Sequence, residues 1–369
     1  MANRIEIGGN FWLSPAQLLQ GTAENDQSIG IFDGVEDLLL TSSGRGAVKL
    51  LLNSLKPRHK KVLLPGYTCD SVIKPFKDLG YELLFYKINS DLTVDLDDLA
   101  GKVEREKPGI LFLLSYFGFD TLKSVRPYYQ SFKEKGMLLI EDLSHSWFSA
   151  FPKTSANYSV ISMRKWLELP DGGALIDSGI TPASFYNDYT EQTPVVSLFS
   201  QASELKNTYL ASLRPELKEQ YLPLFYSIND LLDEQTEDIY QISRLSARIL
   251  RDTDFGRLKN KRRENYRFLQ ERLSDNACID LVFPELPEEV VPLYLPVSVR
   301  NDDRNALQRH LAENRIYCPV HWPVPEEIRR TYSRGEIEYQ QHLFSIVCDQ
   351  RYSLPDMQRM VDCINNFNK

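Results

Sequence analysis

From Leu38 to Ile176 the chain alternates short apolar runs with stretches of helical periodicity, and that alternation restricts the fold more than any other feature. Lys61–Pro65, Glu82–Ile88, Gly109–Tyr116, Met137–Glu141, Tyr158–Met163 and Gly173–Ile176 read as strands. The intervening stretches 44–52, 71–79, 95–105 and 126–135 read as helices, punctuated by Pro65-Gly66 and Gly80. Short apolar strands separated by helices predict an α/β fold with a mostly parallel sheet covered on both faces. Beyond this region the alternation stops. Residues 200–275 carry helical periodicity, and after Leu281 short strands return around 291–299 and 316–317, with a helix over 304–313 between them. The expected organisation is an N-terminal arm (1–35) with one short helix near residues 15–20. A large domain with a helical linker region (36–254) and a smaller α+β domain (255–369) follow it.

Composition narrows the function. The 369 residues carry a formal net charge of −8. An acidic balance argues against nucleic acid as a partner, because neutralising phosphates requires a basic face. Small anionic substrates need only a few local cations. No apolar run approaches the roughly eighteen residues of a membrane span, and no charged-then-apolar leader pattern opens the sequence. A cytoplasmic protein without membrane contact is expected. The five cysteines are scattered, odd in number and without CxxC spacing, as reduced thiols are. The five histidines show no paired spacing, so no metal site is expected.

In open parallel sheets ligands gather at the carboxyl ends of strands, and three segments fall there. Thr41-Ser42-Ser43-Gly44-Arg45-Gly46 opens a helix on small residues, so its backbone N–H groups can close on a phosphate. The same residues also suit an ordinary helix start with Ser43 as N-cap. The strand Leu138–Glu141 ends in the acidic pair Glu141-Asp142, followed by His145. Strand alternation decides which carboxylate faces a site. The third segment, Ser162-Met163-Arg164-Lys165, runs out of an apolar strand and precedes Asp171-Gly172-Gly173.

A lysine and a strand-end carboxylate about twenty residues apart are what pyridoxal 5′-phosphate (PLP) requires: an amine for its Schiff base and an acid to keep its ring nitrogen protonated. On this reading Lys165 forms the Schiff base, with its pKa lowered by a cationic neighbour and by desolvation. Asp142 holds the pyridinium, with Glu141 as competitor. His145 reaches the phenolic oxygen or stacks near the ring, and Ser162 bonds the phosphate. The plainer alternatives are a turn-capping aspartate and a surface Lys-Arg pair. Cys318-Pro319-Val320-His321-Trp322-Pro323 either lines a substrate entrance or forms a rigid proline-framed loop. Cys69 is a nucleophile candidate for which no base is placed.

The order Ser-Gly-Arg-x-Ala, Leu-Pro-x-Tyr-Thr, Tyr-Phe-Gly, Glu-Asp-x-x-His, then Lys followed by Gly-Gly resembles the DegT/DnrJ/StrS family across most of residues 38–180. Arg262-Arg263-x-Asn265-Tyr266-x-x-Leu269 is similar to that family's post-linker helix. The resemblance implies a fold-type-I, PLP-dependent aminotransferase acting on a keto acceptor, chiefly a nucleotide-linked keto sugar, with glutamate or glutamine as amino donor. It implies Lys165 as the Schiff-base lysine and Asp142 as the ring-nitrogen partner. The amides of Gly44 and Arg45, next to Ser43, would join Ser162 at the phosphate. His145 falls where the family usually has Gln. A homodimer with sites at the subunit interface, near Gly172-Gly173, is also implied.

Two positions depart from the family pattern. The phosphate serine expected five residues before the lysine is Val160, with Ser162 three before and Ser159 six before. The aromatic residue expected over the ring is Cys69, which leaves Tyr67 or Tyr116 to stack there. Alternatives are a PLP lyase or dehydratase, and a non-catalytic binding or regulatory protein. Lysine rather than histidine at 165 argues against the dehydratase branch.

Overall fold

The computed structural model describes residues 6–19, 29–35, 37–55, 57, 59–151, 155–177, 191, 193–234 and 239–367. The expected N-terminal arm therefore lies partly outside the described residues, as does Gln20 at the end of its helix. That arm contributes strand β1 (Ile7–Gly8) and helix α1 (Pro15–Leu19). Next come β2 (Leu38–Thr41), α2 (Gly44–Ser54), β3 (Lys61–Pro65), α3 (Asp70–Asp78), β4 (Glu82–Tyr86) and α4 (Leu96–Glu106). They are followed by β5 (Ile110–Leu114), α5 (Tyr129–Glu134), β6 (Leu138–Asp142), β7 (Tyr158–Ser162) and β8 (Gly173–Asp177). The helical stretch is α6 (Thr193–Ser212), α7 (Pro215–Glu234), α8 (Arg244–Asp252) and α9 (Phe255–Leu273). The C-terminal part holds β9 (Ile279–Leu281), β10 (Leu295–Val299), α10 (Arg304–Glu313) and β11 (Ile316–Tyr317). It ends with α11 (Glu326–Thr331), α12 (Arg334–Ile337), α13 (Tyr339–His342), β12 (Leu343–Ile346) and α14 (Leu354–Asn365).

The main sheet has seven strands in the order β2-β8-β7-β6-β5-β3-β4. Every residue of β5 is buried, as a strand covered on both faces must be. The pairs from β4 through β7 are parallel, and β8 alone runs against its neighbours on both sides. That reversal matters for the site. It brings the start of β8 to the edge where β2, β6 and β7 end, so Gly173 pairs with both Thr41 and Ser162.

The elements depart from the sequence pattern in three places. β2 is a strand that the pattern left unassigned. The helix expected over 126–135 divides into a 3-10 turn at Arg126–Tyr128 and α5, with Pro127 supplying no N–H to carry it on. The strand expected from Val291 starts only at Leu295; the carbonyls of Pro292 and Leu293 are taken by the buried guanidinium of Arg262 (3.3 and 2.9 Å).

A second, antiparallel sheet, β12-β10-β9, and the parallel pair β1-β11 organise the C-terminal part. The N-terminal segment therefore returns to lie beside Ile316 and Tyr317. Lys206 of α6 anchors it. Its Nζ donates to the Asn10 carbonyl at 2.9 Å and sits 4.1 Å from the Trp12 ring centre, and burial pulls its pKa down to about 7.

The glycine turn before β8 hangs from Asp171, which is fully buried. Its carboxylate accepts from the Ser243 N–H at 2.9 Å, from the Ser243 hydroxyl at 2.7 Å and from the Ser246 hydroxyl. Ser243 is also the N-cap of α8, so one side chain ties the turn to the start of a helix. Truncation would leave the buried Ser243 N–H without its acceptor and take the carboxylate from both hydroxyls, which would keep only each other and the Asp171 carbonyl. Asp171→Ala should lose about 3 kcal/mol of stability or more, read as a lower urea midpoint; an unchanged midpoint would show that the turn holds without this tie.

Candidate active site

The site is assembled at the carboxyl edge of the main sheet. β6 and β7 are adjacent and parallel, with Asp142 paired to Val160, so Asp142 ends one strand beside the end of the other. The chain leaves β7 at Ser162 into a 3-10 turn, Met163–Lys165. That turn is held from several sides. The indole N–H of Trp166 donates to the Ser144 carbonyl at 2.8 Å, and the Trp166 carbonyl accepts from Gln350 at 2.8 Å. Arg262 donates to the same carbonyl at 3.3 Å and stacks over the Trp166 ring. Trp166, Ser144 and Arg262 thus fix where the lysine points.

Ser43, Gly44, Arg45, Cys69, Asp142, Ser162 and Lys165 border one cavity of about 210 Å³. Residues separated by more than a hundred positions are brought together as the strand-end argument expects. Ser43 caps α2, accepting from the Gly46 N–H at 3.0 Å, so the capping reading of that serine holds while the residue also faces the cavity. The first amides of α2 have no carbonyl of their own helix to bond, and the helix dipole favours an anion there. The Arg45 side chain donates to the Leu232 carbonyl at 2.6 Å. Buried Ser42 Oγ and Thr68 Oγ1, which flank cavity-lining Ser43 and Cys69 in sequence, have no hydrogen-bond partner.

The two carboxylates of β6 separate as alternation requires. Glu141 points to the other face, where Arg126 lies at 3.4 Å and the Tyr129 hydroxyl donates at 3.2 Å. Asp142 faces the cavity. One of its oxygens accepts from the Ser144 N–H at 2.8 Å, and burial raises its pKa against the opposing effects of Ser144 and Lys165. A buried carboxylate of this kind is suited to a cation that enters the cavity.

His145 is fully buried, with Nε2 3.1 Å from Lys165 Nζ. The Phe117 N–H approaches its Nδ1 at 3.5 Å. Its pKa is well below the usual imidazole range, first through burial, then through Lys165 and His321. His321 is lowered to about 3 by desolvation and by Lys165, so both rings stay neutral near Lys165. The Trp322 ring lies 5.2 Å from the His145 ring at 30° and 5.5 Å from Lys165 Nζ.

Tyr67 and Tyr116, the expected ring-stacking candidates, are not among the residues that border this cavity. The Tyr67 ring packs on Tyr116 and Trp322, its hydroxyl donates to the His321 carbonyl, and the Tyr116 hydroxyl donates to the Tyr67 carbonyl at 2.5 Å. They brace the chain that carries His321 and Trp322. A second cavity of about 230 Å³ opens on the other side of the lysine, bounded by Asn10, Phe11, Tyr294, His321 and Trp322. Arg164, Lys165 and Asn229 border both cavities.

Sequence reasoning missed Ser144 and Asn229. Ser144 stands between Asp142 and His145, and its hydroxyl accepts from the Ser162 N–H at 2.8 Å; a small polar residue inside Glu-Asp-x-x-His was the available signal. Asn229 lies inside a helix with no local mark. Among the described residues, no group of three or more His, Cys, Asp or Glu is placed to hold a metal ion, and no helix is long and apolar enough to cross a membrane.

No family model matches the chain. A curated relative, dTDP-3-amino-3,6-dideoxy-alpha-D-galactopyranose transaminase of Aneurinibacillus thermoaerophilus, is 29% identical over 160 residues, 40% of this chain and 40% of that protein. The match thus spans well under half of the relative's length. The solved structures extend over nearly the whole chain. PseC of Helicobacter pylori, an aminotransferase involved in the biosynthesis of pseudoaminic acid, aligns with TM-score 0.68 at 14% identity, covering 97% of this chain and 98% of its own. The sugar aminotransferase CalS13 of Micromonospora echinospora gives TM-score 0.65 at 15% identity, with 98% and 99% covered. DesV of S. venezuelae, solved in complex with a ketimine intermediate, gives 0.61 at 16% identity, with 97% and 91% covered. The chain shares the fold-type-I fold of these aminotransferases.

Proposed function

We propose that this protein is a PLP-dependent aminotransferase that moves an amino group from an amino acid donor, glutamate or glutamine, to a nucleotide-linked keto sugar. One observation carries the reading: Lys165 and Asp142, on separate strand ends, border the same cavity as the opening residues of α2. The aminotransferases that share the fold support it.

The residues present fit the cofactor. Ser43, Gly44, Arg45 and Ser162 would hold its phosphate, Asp142 its ring nitrogen and Lys165 its aldehyde carbon. When bound, the cofactor supplies an electron sink for the carbanion formed at the donor's α-carbon. The chain does the rest. Lys165 Nζ would be the attachment amine and, once displaced, the base that carries a proton between the donor's α-carbon and the cofactor's aldehyde carbon. His145 orients that amine through Nε2. Trp322 and Phe11 keep water from the side of the lysine where the substrates enter. Cys69, at the N-terminus of α3, is a small wall where a larger ring would otherwise stand.

The same reading takes residues 36–254 as the cofactor-binding domain and 255–369 as the smaller domain, after the arm. It takes the working unit as a cytoplasmic homodimer with shared active sites. The family likeness supports the dimer and the amino donor.

Borohydride treatment of the PLP-loaded protein should fix the label on Lys165, and Lys165→Ala should lose both the label and at least about 10²-fold in turnover. A label on another lysine would remove Lys165 from the site. Asp142 gives a second test, with a definite sign. Its folded-state pKa is raised, so its contribution favours the folded protein at low pH and is lost as pH rises through that pKa. Asp142→Asn should therefore raise the thermal midpoint of the PLP-free protein at pH 7 while lowering turnover of the loaded enzyme. A lower PLP-free midpoint, or undiminished turnover, would contradict the role given to this carboxylate.

A further inference from the structure

Trp322 has a second cavity on its far side. It measures about 560 Å³ and is bounded by Arg304, Arg329, Arg334, Tyr332, Gln341 and the Trp322 ring, a size typical of small-ligand sites. Three guanidinium groups border it and no carboxylate does. The carboxylates of α11 and α12 are engaged elsewhere. Glu327 pairs with Lys77 at 2.7 Å, Glu336 with Lys87 at 2.5 Å, and Glu326 with Arg330. Arg304 donates to the Gln340 carbonyl at 3.2 Å, which fixes its head at the cavity wall. Arg329 and Arg334 make no ion pair among the described residues.

Three cations collected around a concave space and left without counter-charges form an anion site. Their planar forks suit phosphate oxygens bidentately. Two further observations join this site to the chemistry. Trp322 borders this cavity and the substrate-side cavity at Lys165, so a molecule passing the indole edge touches both. The rings of Trp322 and Tyr332 already have neighbours: His145 lies against Trp322, and the Lys102 ammonium is 4.8 Å from the Tyr332 ring centre. The free recognition groups are therefore cations rather than stacking faces, which favours a diphosphate over a base.

We propose that Arg304, Arg329 and Arg334 form a diphosphate subsite that holds the nucleotide-linked end of the acceptor, with its keto carbon reaching past Trp322 to Lys165. This deepens the aminotransferase reading and rests on it for the acceptor's identity, but anion binding can be measured without turnover. The probes are inorganic pyrophosphate, dTDP and thymidine, titrated calorimetrically into PLP-loaded protein so that the cofactor's own phosphate site is filled. Pyrophosphate and dTDP should bind and compete with each other, thymidine should bind far more weakly, and affinity should fall with added salt. The double variant R329Q/R334Q changes two exposed side chains. It should keep the wild-type thermal midpoint and its borohydride label on Lys165, yet bind dTDP about tenfold more weakly or worse.

Failure of the wild type to bind either diphosphate, or dTDP binding unchanged in the variant, would overturn the subsite. So would displacement of dTDP by glutamate as readily as by pyrophosphate, which would assign the arginines to the donor. If PLP failed to attach at Lys165, the aminotransferase reading would fall separately. Sensitivity of pyrophosphate binding to R329Q/R334Q would still decide the fate of the anion site.

Discussion

The site depends on a contact between pieces of backbone that have no side chains between them. A methyl group built on Gly173 would lie 2.2 Å from the Ser43 carbonyl carbon, and one on Gly44 would lie 3.0 Å from the Ser162 Cβ. A glycine is required at 173, and one at 44 spares a tight contact, so that the start of α2, the end of β7 and the start of β8 meet as one wall. That wall turns the first amides of the helix toward the cavity. It also sets the origin of the turn that carries Lys165, because that turn begins one residue after Ser162. Asp171, hung from the start of α8, supports the same glycines from behind.

Much of this was legible in the sequence, for identifiable reasons. Fully buried parallel strands must be apolar throughout, so Ile110–Leu114 and Lys61–Pro65 announced themselves. Strand ends, in turn, say where ligands gather. Alternation along β6 posed the choice between Glu141 and Asp142, and the sequence could not make it. The structure makes it through Arg126 and Tyr129, which engage Glu141 from α5 and the turn before it. β2 escaped detection because four residues of modest burial lack a pattern that separates a strand from a loop.

The rest was hidden because it is written in tertiary contacts. The Tyr67 hydroxyl is tied to the chain just before Trp322, 254 residues away. The aromatic neighbour of Lys165, Trp322, also comes from the C-terminal part. Asn229 reaches the site from α7, which is tied to the start of α2 where Arg45 donates to the Leu232 carbonyl. The arginines around the third cavity lie on α10 to α12, scattered across thirty positions, and become a group only when those helices pack.

Lys206 carries a consequence for the N-terminal segment. An amine with a pKa near 7 is present substantially as the free base at neutral pH, where ordinary surface lysines are almost entirely ammonium. It is intrinsically the more nucleophilic group, yet Trp12 and the Asn10 carbonyl cover it. Since Asn10 and Phe11 also wall the lysine-side cavity, the segment that shields this amine is the one that bounds the substrate side.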